Sequence, residues 1–159
     1  MTTNTAISLD FSFQQIKKSV CLFSFLLGIA FSAQAQISYI SDVKKTEQLA
    51  KMAAERFVEG EYKELFDELR KYWPLPPNEI DQLESQTIRY GNIFEERFGE
   101  TVGYYKLKTE VIGDFARRET YLIRYGYTAI RFKLTFYLHP KGWVVNGFTW
   151  DDSFSEEFE

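Results

Sequence analysis

The apolar positions of this chain change period once, near residue 102, and that change divides it into a helical half and a strand-rich half. From Ser41 to Glu59 the residues Val43, Leu49, Met52, Ala53 and Phe57 recur at three- and four-residue spacing, and Gly60 supplies a stop. A second helix is predicted from Glu61 to Tyr72, with Tyr62, Leu65, Phe66 and Leu69 along one face. Trp73-Pro74-Leu75-Pro76-Pro77 breaks it, because proline lacks the N–H that the ladder needs and its ring clashes with the preceding turn. Asn78 is placed to cap a third helix with a buried stripe of Ile80, Leu83, Thr87 and Tyr90, which Gly91 ends or kinks. Residues 92–101 carry no clear period and read as a short irregular lead into a sheet.

Beyond Val102 the period becomes two. Tyr104–Ile112, Arg117–Tyr125, Thr128–Leu138 and Trp143–Trp150 alternate and are rich in β-branched and aromatic residues, as strands are. Gly113-Asp114, Gly126 and His139-Pro140-Lys141-Gly142 punctuate them, and connections this short make the strands an antiparallel meander. In the third strand Ile130, Phe132, Leu134, Phe136 and Leu138 share one apolar face, opposite Arg131, Lys133, Thr135 and Tyr137. Such a face needs a cover, which the amphipathic helices supply. In the last hairpin a three-residue loop would put Leu138 beside Val144 and leave Phe148 and Trp150 on the core face. A four-residue loop would bring in Trp143 and Val145, since one residue of slip flips every side chain. Proline at the second turn position and a left-handed Gly142 favour the first register.

Ahead of the helices lies a third kind of pattern. Lys17 and Lys18 precede an apolar run from Val20 to Phe31, and Ser32-Ala33-Gln34-Ala35 follows with small residues spaced as signal peptidase requires. The run is about a dozen residues against the roughly 20 that span a bilayer as a helix, which makes a retained membrane anchor the weaker reading. Residues 1–35 therefore read as a secretory signal peptide cleaved between Ala35 and Gln36, with a thiol-free product destined for the periplasm or the medium. Cleavage removes Cys21, the only cysteine of the 159-residue chain, so the exported domain can form no disulfide. It also removes Lys17, Lys18 and Asp10, leaving 17 basic and 22 acidic residues, a net charge of −5. That balance argues against nucleic acid, and after cleavage against a membrane, as partner, because both call for a basic surface. Residues 36–152 are expected to form one α+β domain, three helices packed on a curved, cone-like antiparallel meander. An acidic tail, residues 153–159, is expected to be disordered.

The order of elements resembles the nuclear transport factor two-like superfamily, which includes ketosteroid isomerase, scytalone dehydratase and polyketide cyclases of the SnoaL type. More closely, the chain resembles exported bacterial domains of unknown function in that superfamily. The likeness rests on Ala53–Tyr62 (AAERFVEGEY), Leu75-Pro76-Pro77, Tyr90-Gly91, Phe136-Tyr137, Gly142-Trp143 and Phe148-Thr149-Trp150-Asp151-Asp152, and spans residues 41–152. The resemblance implies a cone between helices and sheet, in which the enzymes of the superfamily hold Asp, Glu or His.

Catalytic equipment is sparse against that expectation. His139 is the only histidine and sits in a tight turn, so neither a zinc site nor a nucleophilic triad has its parts, and no cofactor is implied. Glu95-Glu96, Asp151-Asp152 and Glu156-Glu157 read as solvated pairs, and Glu110 as part of a charged ladder with Lys106 and Lys108. Glu119 alternates with Tyr121 and Ile123, so it is the one carboxylate predicted to face inward, where burial would raise its pKa and fit it for proton transfer. Trp73, Tyr90, Tyr105, Tyr121 and Tyr125 are candidates to line a cone opening for a small apolar ligand, with Arg118 of the Arg117-Arg118 pair at its mouth. The function expected on balance is a non-catalytic envelope module that binds a small apolar ligand or a protein through its cone. The rivals are a pocket isomerase or lyase using an inward carboxylate, and a homodimer joined through its sheet face.

Overall fold

The computed structural model describes residues 37–158; the signal-peptide reading, with its cleavage site at Ala35 and Gln36, falls outside them. Helix α1 (Val43–Val58) begins where Asp42 accepts a 2.9 Å hydrogen bond from the Lys45 N–H, the usual cap for an orphan helix donor. Its buried stripe is Thr46, Leu49, Ala50, Ala53, Ala54 and Phe57, and the three alanines let its backbone lie close to its neighbours. Helix α2 (Tyr62–Arg70) buries Tyr62, Leu65, Phe66 and Leu69, as the spacing predicts. Helix α3 (Pro77–Phe98) starts on Pro77, whose fixed φ and missing N–H suit the first turn, and Arg70 ties it to α2 through Asp81 (2.6 Å) and Glu84 (3.2 Å).

Helix α3 does not stop at Gly91, and residues 92–98 are helical rather than irregular. Gly91 is there for space. A Cβ at this position would lie 2.5 Å from the Tyr62 hydroxyl, so the crossing of α2 and α3 needs glycine in mid-helix.

Strands β1 (Thr101–Ile112), β2 (Ala116–Tyr125), β3 (Ala129–His139) and β4 (Gly142–Asp151) form one antiparallel sheet in chain order, β1-β2-β3-β4. Val102 and Leu107 are extra residues in β1, each a bulge against β2. The favoured pairing of Leu138 with Val144 does not form: His139 pairs with Gly142 across Pro140-Lys141 and Leu138 with Trp143, the other register, so Trp143 and Val145 face the core. Asn146 then bulges out, and beyond it Phe148 and Trp150 pair with Leu134 and Phe132 on that same face. One bulge thus admits the inward residues of both registers. Ile40 covers the free edge of β4, exchanging hydrogen bonds with Trp143 at 2.9 and 2.8 Å.

All three helices lie on one face of the sheet, and the space between is solid. Phe57, Leu65, Phe66, Leu69 and Ile80 from the helices meet Ile123, Ile130, Phe132, Leu134 and Phe136 from the strands, all fully buried. Edge-to-face contacts join Phe57, Phe132 and Phe148 into a chain of rings with centroids 5.2–5.5 Å apart. In the tail, Phe154–Phe158 take a 3-10 turn on the helix-free face of the sheet, with Glu157 on Lys108 and Arg131. No helix among the described residues is long and apolar enough to cross a membrane.

Candidate functional site

Alternation along β2 sends Arg117, Glu119, Tyr121, Ile123 and Tyr125 toward the helices and Arg118 away from them. Glu119 therefore does face inward, with 0 % of its surface exposed. Its surroundings are not those of a proton carrier. Arg117, two residues away on the same face, donates from Nε (3.1 Å) and Nη2 (2.5 Å) to Oε1. Across the strand pair Thr109 donates to Oε2 at 2.6 Å, and the Lys106 ammonium lies 3.0 Å from that oxygen. The Leu107 bulge makes this possible, because it lets Lys106 and Thr109 share one face of β1 opposite Tyr121 and Glu119. The Arg117 guanidinium also reaches Glu47 of α1 at 2.8 Å.

Burial alone pushes the Glu119 carboxyl up, as the sequence suggests. The hydrogen bonds from Thr109, Arg117 and Lys106, with the Lys106 charge, more than reverse that, and its pKa lies below the ordinary carboxylate value. At neutral pH it is an ion-paired carboxylate with both oxygens engaged. It has no free lone pair directed at a cavity, so the predicted raised pKa is corrected.

The six residues proposed to line a cone mouth do not converge. Trp73, Tyr121 and Tyr125 are buried in the core. Tyr90 is half-exposed on α3, edge-on to Trp150 at 6.5 Å. Tyr105 is exposed and pairs with Leu122 across the strands, because Tyr104 takes the inward place and donates to Glu55 at 2.8 Å. Arg118 is on the helix-free face, where it donates to Glu110 at 2.9 Å. The Tyr62 and Tyr125 hydroxyls are buried with no hydrogen-bond partner among the described residues. Burial, and secondarily the Glu95 charge, push the Tyr62 phenol up to about 12.

Open surface grooves, not an enclosed chamber, lie between several of the described elements. One of about 600 Å³ runs between α1 and α2 beside Tyr39, Lys45, Leu49, Met52, Glu68 and Tyr72. Another of about 660 Å³ lies between α1 and β1 at Met52, Glu55, Gly103 and Tyr104. Glu119 lines neither. Among the described residues no three His, Cys, Asp or Glu side chains are grouped to hold a metal ion. His139 sits at the β3–β4 turn, its Nδ1 accepting from the Lys141 N–H at 3.1 Å and its ring stacked on Tyr39 at 5.0 Å. At the same end Val111, Ile112, Phe115 and Tyr137 are exposed, a grouping of apolar surface at the tip of the β1–β2 hairpin.

Sequence reasoning missed Lys106 and Thr109 as partners of Glu119, and Glu47 as the second acid on Arg117. The Arg117-x-Glu119 spacing was available as a signal, since residues two apart in a strand share a face. No family model, curated protein or solved structure matches the chain.

Proposed function

We propose that this chain is an exported, non-catalytic interaction module of the cell envelope, which binds a protein partner through its surface rather than a small apolar ligand through its interior. The observation that carries this reading is the filled space between helices and sheet, where fully buried phenylalanines and leucines stand in the place a ligand would need. A drug-sized ligand needs a cavity of about 300–1,000 Å³ with convergent polar groups. The grooves of that size here are open, and the inward carboxylate is elsewhere. The exposed apolar hairpin tip is surface of the kind that partners cover.

The nuclear transport factor two-like resemblance frames this proposal, since three helices before a four-stranded meander is the order it implies. The isomerase or lyase alternative rests on Glu119, and the ion pairs that hold that carboxylate ionised weigh against it. A homodimer joined by bare sheet faces would have to displace or skirt the tail, which lies over Lys108 and Arg131.

Native mass spectrometry of the protein purified from its own envelope tests the proposal. The expected spectrum contains a mature chain beginning at Gln36 in complex with a second polypeptide. A stoichiometric small apolar adduct on a chain free of protein partners would overturn it, and an N-terminus upstream of Lys17 would overturn export.

A further inference from the structure

The helix-free face of the sheet presents Lys108 from β1, Arg118 and Thr120 from β2, and Arg131 and Lys133 from β3. A basic row on an uncovered sheet should stand in water, yet Arg131 is only 8 % exposed. Its cover is the C-terminal tail. Ser153 donates its N–H to Asp151 Oδ1 at 3.0 Å, turning the chain back, and the 3-10 turn then lies over the sheet. Arg131 donates to Asp151 (2.7 Å), Glu156 (3.0 Å) and Glu157 (3.1 Å). The other Glu157 oxygen lies 2.6 Å from the Lys108 ammonium. One carboxylate thus joins β1 to β3 and straddles β2, and Lys133 adds a longer contact to Asp151 at 3.5 Å.

The occupant matches the face in charge and fits it poorly otherwise. Phe158 is 85 % exposed, its ring edge-on to Phe154 of the same turn at 6.4 Å. Thr120 pairs with Lys108 on one side and Lys133 on the other, below the Glu157 bridge. It is fully buried, and its hydroxyl has no hydrogen-bond partner among the described residues. A buried hydroxyl left in that state is a cost that a better-fitting occupant would recover.

We infer that the helix-free sheet face is a recognition site for an acidic peptide segment of a partner protein, and that the C-terminal tail is the chain's own competing occupant. This rests on the reading of the chain as an interaction module, and names the chemistry of the partner. Arg131, Lys108 and Lys133 offer charge-assisted donors spaced for successive carboxylates, and the Thr120 hydroxyl offers one further donor in the floor. Nucleic acid is disfavoured, because Glu110 and Asp151 stand on the same face and would oppose a phosphate backbone. The tail competes at the millimolar effective concentration of a short tether, so release requires a partner segment that fits better or binds at several points.

The test uses residues Gln36–Glu159, which form one compact unit. A fluorescent peptide with the sequence of residues 151–159 is titrated against the wild type and against Glu156→Gln/Glu157→Gln, followed by anisotropy at low and high salt. Weakening the tail frees the face, so the double variant should bind the peptide about ten-fold more tightly than wild type, with affinity falling as salt rises. Adding Arg131→Gln to the double variant should abolish binding. Lys108→Gln, at an exposed position that cannot unfold the core, should weaken binding several-fold. Equal binding by wild type and double variant, binding indifferent to Lys108→Gln, or no binding by either protein overturns the inference. If an envelope protein co-purifies while the peptide fails to bind, the interaction reading stands and this site falls. A single-stranded oligonucleotide that binds the double variant more tightly than the peptide also sinks it.

Discussion

Two arginines on neighbouring strands of this sheet hold similar company and have different prospects. Arg117 faces the helices and Arg131 faces away, and they are 6 % and 8 % exposed. Each meets more than one carboxylate, and each cluster includes a lysine. Around Arg117 the main partner is Glu119, two residues along the same strand, so the sheet itself sets the geometry before the ions meet. Around Arg131 two of the three acids, Glu156 and Glu157, come from a terminal turn that must be ordered to reach it. Composition does not separate a fixed ion pair from a releasable one. What separates them is whether the partners are held by the same rigid element.

The strongest way to break the comparison is to remove Glu119. Glu119→Ala leaves Arg117 and Thr109 without their buried acceptor and should destabilise the domain by about 3–5 kcal/mol, read as a lowered urea midpoint. A loss below about 1 kcal/mol would mean that water relieves the site and the cluster is no more fixed than the one around Arg131. Acid titration sharpens the same point. Because the folded pKa of Glu119 is depressed, its contribution is present above its unfolded value near 4.5 and is lost as pH falls through the lower folded value. Thermal stability should drop below that range, and Glu119→Gln should flatten the drop. At the other extreme Tyr62 is raised to about 12, so the stability of its neutral form is full below 10 and is lost as pH climbs through 12.

A smaller effect is expected where α2 and α3 cross. Gly91→Ala gains about 1 kcal/mol of helix propensity, but its Cβ must displace the buried Tyr62 ring, an overpacking cost of about 1–3 kcal/mol. The net expectation is a loss near 1 kcal/mol. Tyr62→Phe removes a buried hydroxyl that has no partner, and should raise the melting temperature by itself. It should also reduce the penalty of Gly91→Ala when the two are combined. A Tyr62→Phe protein that melts lower than wild type would reveal a hydrogen bond to an ordered water.

Legibility in the sequence followed the range of the interaction. Ile130, Phe132, Leu134 and Phe136 could be read as one core face because strand period is local, and all four are fully buried. The register of the last hairpin could not, since Asn146 bulges and a period-2 pattern has no mark for an extra residue. Gly91 looked like a helix end because glycine usually is one, and only the Tyr62 ring, some thirty positions earlier, explains its place within α3. The inward direction of Glu119 was legible from alternation. Its ionisation was not, because Lys106 and Thr109 reach it through the bulge at Leu107. The tail read as disordered for the same reason: its partners Lys108 and Arg131 lie on β1 and β3, distant in sequence.

The smallest expected effect discriminates best between the two arginine clusters. Glu156 is 60 % exposed and makes one contact of this network, to Arg131 at 3.0 Å. Glu156→Gln should lower stability by less than about 1 kcal/mol, since exposed ion pairs gain little over their solvated parts. The size matters less than its response to salt. Charges near water are screened over about 8–10 Å at ordinary ionic strength, whereas a fully buried pair is shielded much less. The difference in urea midpoint between wild type and Glu156→Gln should therefore shrink toward zero as salt rises, while that between wild type and Glu119→Ala stays constant. Parallel salt dependence in the two variants would place both clusters in the same environment, and the division between a fixed inner pair and a releasable outer one would fall.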